Sequence, residues 1–304
     1  MKNTNKFKKN NKAGNNIFKS IDNFLAINPK KLLSADFWFI VILIYISVIN
    51  FFVLKTTPEI IFLQYLVLVL IFMRVRTKEY AKTWIPFISF FLLYEFLRGY
   101  ADDLSPFKEV TLYWIYNLEL LIFKNLPSKI LQDLFIDNKF IVNFSLFFYS
   151  IFFYYSFLTA FILWLKKPNY FQEYFKKFLI LSFIGLLFFF LIPTAPPWMI
   201  NEIKDIGIER ILYGDTIMNQ FNAFSLYRYF IYGNAVAALP SLHTAWPAFT
   251  SLFLINKFKS KLTYLPLIIP LMIGFSVVLT GEHFVVDVVA GWILAIIVLC
   301  FKKI

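Results

Sequence analysis

With 304 residues, 60% of them hydrophobic and only 16% charged, the chain is far too apolar for an ordinary soluble domain; such a domain is about half apolar and about a quarter charged. A net charge of +12 would suit a nucleic-acid partner, yet no soluble stretch offers a binding face, and the cytoplasmic side of an anionic bilayer fits the charge better. The single cysteine, Cys300, excludes an intramolecular disulfide and any multi-cysteine metal site; it reads as a small apolar residue of the last helix.

In chain order, residues 1–33 come first, Lys/Asn-rich and low in complexity. They lack the apolar core and small-residue cleavage site of a signal peptide, so they read as a disordered basic cytoplasmic tail, with a short surface helix at "IFKSIDNFLAI". Apolar runs follow at 37–54, 58–75, 82–99, 140–165, 175–193, 240–256, 262–280 and 283–301. Runs of about 20 apolar residues match a membrane-crossing helix and are too long for barrel strands. The expectation is an all-α protein: a polytopic membrane helix bundle of about eight transmembrane helices, with residues 34–304 as one membrane-embedded domain. No internal repeat is visible.

The short basic stretches alternate with these runs. "RVRTKEYAK" follows the second run, "KKPNYFQEYFKKF" (166–178) the fourth, "NKFKSK" the sixth, and "FKK" closes the last. The intervening loops, such as "YADDLSPFKEV" and "GDTIMNQFNAF", are acidic or mixed. The positive-inside rule then places both termini in the cytoplasm. It also gathers the unusual residues at the outer face: "YEFLRGYADD" and "IPTAPPW" close runs there, "LPSLHTAWP" opens one, and "TGE" and "HFVVD" flank the last turn. The aromatic, partly charged loops 110–126 and 208–232 read as helices in the headgroup layer or as plain connectors.

Both histidines of the chain, His243 and His283, fall in this group. His283 and Asp287 are four residues apart, the spacing of one helical face. A carboxylate there fixes the imidazole tautomer and favours nucleophilic attack or proton acceptance; the competing reading is a buried polar pair that locks two helices together. His243 adds a second imidazole, and two imidazoles suit a two-step displacement in which one attacks and the other handles protons. In "PSLHT", Pro240 opens a helix and Ser241 can cap it, making an anion site of the first-turn N–H groups. A metal site would need Asp287, Asp102 or Asp103 to complete a shell around the two histidines.

"PSLH" (240–243) and "HFVVD" (283–287), preceded by "PTAPPW" (193–198), resemble the phosphatidic acid phosphatase type 2 superfamily. More narrowly, they are similar to its branch of fungal inositol phosphorylceramide synthases and their bacterial relatives, over about residues 94–292. The resemblance implies His283 as nucleophile forming a phosphohistidine, Asp287 orienting it, and His243 as general acid and then base. It implies a six-helix catalytic core, about 82–304 here, and no metal or organic cofactor. The broad superfamily carries K-x6-R-P, P-S-G-H and S-R-x5-H-x3-D; here Pro193–Pro197 replaces the first motif, Leu242 the glycine, and Val277, after Ser276, the arginine. The two usual phosphate-clamping arginines therefore have no counterpart.

Arg98 is the first substitute, between Glu95 and Asp102, with an interfacial ion pair as its structural alternative. Arg228, Arg210 and Lys204 are weaker candidates. Ser241, Thr194 and Asp102 complete the expected phosphate and substrate contacts. The expected function is transfer of a phosphoryl or substituted phosphoryl group from a membrane lipid to an acceptor, at the extracytoplasmic face of the cell membrane. Lipid phosphate hydrolysis and a non-enzymatic lipid transporter are the alternatives. No repeated halves or paired broken helices of the transporter kind are visible.

Overall fold

The computed structural model describes residues 82–84, 86, 90, 93–94, 97–101, 105, 113–211, 234 and 236–301. The tail 1–33, the runs 37–54 and 58–75, parts of 82–99 and most of the loop 208–232 lie outside the described residues.

Helix α1 (Trp114–Phe123) comes from the stretch 110–126 expected to be interfacial or connecting, and α2 (Pro127–Phe135) follows just beyond it. Helix α3 (Lys139–Lys166) starts where the Asn138 side chain accepts from the N–H groups of Phe140 and Ile141, at 3.1 and 3.3 Å. Helix α4 (Pro168–Leu191) follows after the single residue Lys167, and proline at its first position costs no hydrogen bond. The basic loop expected at 166–178 is therefore mostly helix, and the 175–193 run starts earlier than expected. Two of its charges are tied inward: Glu173 pairs with Lys177 at 3.3 Å and with Lys257 at 2.6 Å, and Lys177 donates to the Leu299 carbonyl at 2.9 Å.

Helix α5 (Pro197–Lys204) is short. Helix α6 (Leu242–Phe258) leads into a 3-10 helix (Lys261–Leu267), which continues as α7 (Ile268–Leu279). Helix α8 (Val285–Cys300) ends the described chain. Among the described residues, three helical stretches are long and apolar enough to cross a membrane: Lys139–Lys166, Pro168–Leu191 and Lys261–Leu279. The runs expected at 240–256 and 283–301 fold as helices of 17 and 16 residues, a little below the length of an unaided crossing.

Helix α6 is the centre of the bundle, packed on α8, α3, α7 and α4. Its Trp246 is buried among Phe152, Phe153, Phe157 and Phe178, and donates its indole N–H to Ser182 at 3.1 Å. Trp246 is thus a core residue rather than an interfacial anchor. Deeper in, the Tyr174 hydroxyl links the Ser156 carbonyl at 3.0 Å to Thr250 at 2.8 Å. Outside, Leu158, Ile162, Phe183, Leu187, Leu271 and Ile296 are exposed, an apolar coat that suits lipid and not water.

Candidate active site

Three loops meet at one end of this bundle. The first is 192–196, between α4 and α5; the second is 236–241, ahead of α6; the third is 280–284, between α7 and α8. Thr194 pairs with Ala237 as an isolated parallel bridge, its N–H donating to the Val236 carbonyl at 2.7 Å. The Trp198 N–H donates to Gly281 O at 3.1 Å, and the Ser241 N–H to the Asp287 carbonyl at 3.0 Å. Gly281 holds φ at +76°, and a side chain there would meet the Glu209 carbonyl at 2.9 Å. Segments separated by more than forty residues are thus stitched into one surface by their backbones.

On that surface His243, in the first turn of α6, places Nδ1 3.1 Å from His283 Nε2. Phe152 and Tyr149 of α3 flank the His243 ring, with centroids 4.5 and 5.1 Å away. His283 is 4% exposed and Asp287 0%, so the pair is shut off from bulk water while His243 is partly open. Asp287 Oδ2 lies 3.5 Å from His283 Nδ1 and accepts the Phe284 N–H at 2.9 Å.

One expectation needs correction here. His283 and Asp287 do not share a helical face, because α8 begins at Val285 and His283 belongs to the preceding turn. They meet because the aspartate folds back over the helix end toward Phe284, where His283 is attached.

Among the described residues, several buried polar atoms at this place have no hydrogen-bond partner: Thr194 Oγ1, Ser241 Oγ, His283 Nδ1, Asp287 Oδ1 and the Trp198 indole nitrogen. Buried polar groups are normally bonded, so such a gathering marks a place built to meet something else. Ser241 precedes α6 yet its side chain makes no capping bond.

Arg98 acts electrostatically on His243, as does the neighbouring His283. Arg210 and Lys204 are otherwise engaged. Arg210 pairs through two nitrogens with Glu282, at 2.6 and 3.1 Å, and stacks on Trp198 at 3.9 Å. Lys204 lies over the rings of Tyr113 and Tyr116. Asp102, Asp103 and Arg228 lie outside the described residues. Cys300 is exposed at the opposite end of α8. Among the described residues no group of three His, Cys, Asp or Glu is placed to hold a metal ion.

Two further residues of this region were not among the expected site residues. Glu119 of α1, wholly buried, accepts the Val285 and Val286 N–H groups at 3.0 and 3.1 Å. Burial pushes its carboxyl up from the ordinary range against the pull of those two bonds. Gln132 of α2 accepts the Glu209 N–H at 2.8 Å and donates to the carbonyls of Glu209 and Leu279, at 2.8 and 2.9 Å. For Glu119 the available signal was chemical, a single charged residue inside the apolar stretch "WIYNLELLIF"; Gln132, in the polar stretch "PSKILQDLF", had none.

The family model described as the PAP2 superfamily matches residues 114–301, more than half of the chain and all three loops. The chain belongs to the PAP2 superfamily. PAP2 membership points to an enzyme, a lipid phosphatase or phosphotransferase, and with the apolar helices to a membrane protein. The PAP2 match begins after Arg98, so that residue's place at the site rests on its electrostatic reach to His243 alone. No curated protein and no solved structure matches the chain.

Proposed function

We propose that this protein is an integral membrane lipid phosphotransferase of the inositol phosphorylceramide synthase-like kind, working through a phosphohistidine. The observation that carries the reading is the 3.1 Å contact between His243 Nδ1 and His283 Nε2, with Asp287 behind the second ring. Asp287 Oδ2, 3.5 Å from His283 Nδ1, would favour the tautomer with the proton on Nδ1, which leaves the Nε2 lone pair on the side of His243.

In the first step the Nε2 lone pair forms a bond to phosphorus while the donor's P–O bond breaks, and His243 protonates the leaving oxygen. In the second, His243 takes the proton of an acceptor hydroxyl as its oxygen attacks phosphorus and the N–P bond breaks. Both histidines then return to their starting state. The phosphoryl oxygens would be met by the hydroxyls of Thr194 and Ser241, the first-turn N–H groups of α6 and the Arg98 guanidinium. The roles need neither a metal nor an organic cofactor, and turnover is expected to persist in a chelator.

Transfer is favoured over hydrolysis by the "PTAPPW" and "PSLH" variants of the motifs, and by the near-complete burial of His283 and Asp287, which limits water at the phosphorus. The test is incubation of the purified protein with labelled phospholipids and isoprenoid phosphates, with and without acceptor alcohols. A new phosphodiester lipid is expected. Release of inorganic phosphate alone would make the protein a phosphatase, and neither product would reopen the transporter reading.

A further inference from the structure

Helix α8 sets the geometry of the His283–Asp287 pair, and its first turn has two claimants for its N–H groups. Helix starts leave N–H groups without intrahelical acceptors, and an aspartate at the third position is a natural acceptor for them. Asp287 stands there, yet it takes only the Phe284 N–H and keeps Oδ2 within 3.5 Å of His283. The N–H groups of Val285 and Val286 go instead to Glu119, one to each oxygen, from a helix far earlier in the chain. Glu119 is 0% exposed, so its carboxylate is out of reach of bulk water.

Resting on the reading of His283 as the phosphoryl acceptor, we propose that Glu119 is a positioning residue, which occupies the α8 N-terminus so that Asp287 remains on His283. Without it, two part-buried N–H groups would lose their acceptors, and the nearest carboxylate on the same turn is Asp287. Rotation of Asp287 toward them would release His283 Nδ1 and let the ring exchange tautomers. The same vacant helix end would also attract a phosphate, in competition with the α6 N-terminus where Ser241 and His243 wait. Glu119 thus closes one anion site and leaves the other open.

The test uses the full-length protein in lipid micelles with Glu119→Gln and Glu119→Ala. Because the chain has two histidines, [15N]histidine labelling yields signals from just two imidazoles, assigned with His243→Asn. The wild type is expected to show one His283 tautomer with the proton on Nδ1. Glu119→Ala should show mixed tautomers at His283, and a kcat lower by about 100-fold with KM little changed, the scale expected for a displaced orienting partner. Glu119→Gln retains one acceptor oxygen and should fall between. A wild-type His283 spectrum together with wild-type kcat in either folded variant would overturn the proposal. Should the alanine variant fail to fold, the glutamine variant decides alone by the same two readouts. If the wild type forms no phosphohistidine but the His283 spectrum still responds to Glu119→Gln, positioning by Glu119 stands and the phosphotransfer reading falls.

Discussion

The two imidazoles differ in environment more than in sequence. His283 is buried with a carboxylate behind it, whereas His243 is partly open and held between aromatic rings. The division of labour follows: the oriented ring attacks and the accessible ring exchanges protons. Replacing His283 by Ala should abolish both turnover and alkali-stable, acid-labile phosphate on the protein, read by labelled donor and an alkaline quench. His243→Ala should lower turnover by about 10²–10⁴-fold, the usual contribution of a general acid–base. A His283→Ala protein with normal turnover would end the mechanism. Arg98→Lys should preserve more turnover than Arg98→Ala, since charge rather than a packing role is at stake; equal loss in both would assign Arg98 to structure. Much of this constellation was legible in the sequence, because histidines, prolines and an aspartate stand out in so apolar a chain. Glu119 was not, because its role exists only once α1 lies across the end of α8. That approach is a tertiary fact with no local spacing to announce it.

Among the elements, the contact of α6 with α8 matters most for the site. Gly291 lies where a Cβ would be 2.4 Å from the Ser241 carbonyl and 2.8 Å from Thr244 Oγ1. Backbone is the obstacle, so the helices would have to separate. Gly291→Ala should cost about 1–3 kcal/mol, in the range of overpacked core sites. It should also reduce turnover by drawing Ser241 and His243 away from His283. Thermal unfolding and activity, measured together, check this; an unchanged melting temperature would contradict the crossing. Helix existence was readable from apolar runs, while helix ends were not. The stretch 166–178 looked like a loop because of its lysines, but Glu173 pairs with Lys177 of its own helix and with Lys257 of α6. Charge counts along a chain carry no information about such partners.

For the molecule as a whole, the three loops gather at one end and Cys300 lies at the other. The alternation of basic and acidic connections supports placing the first end outside and the second in the cytoplasm. Impermeant thiol reagents on sealed, right-side-out vesicles test this directly. Cys300 should react only after permeabilisation, and Asp205→Cys in a Cys300→Ser background should react at once. The reverse pattern would invert the topology. The class of fold was readable because apolar composition and run length leave few options in a bilayer. The convergence of the loops was readable only as a shared side of the membrane; their hydrogen bonds to one another depend on close backbone approach.

Because His283 sits in a turn rather than on a helix, its ring can be moved without twisting the bundle. One residue added between Thr280 and Phe284 would shift its reach toward His243 while α7 and α8 kept their registers. The same insertion inside α8 would rotate everything beyond it by about 100°. Divergence in the size of the group carried, between related sequences or in a directed library, should therefore concentrate in that short hinge.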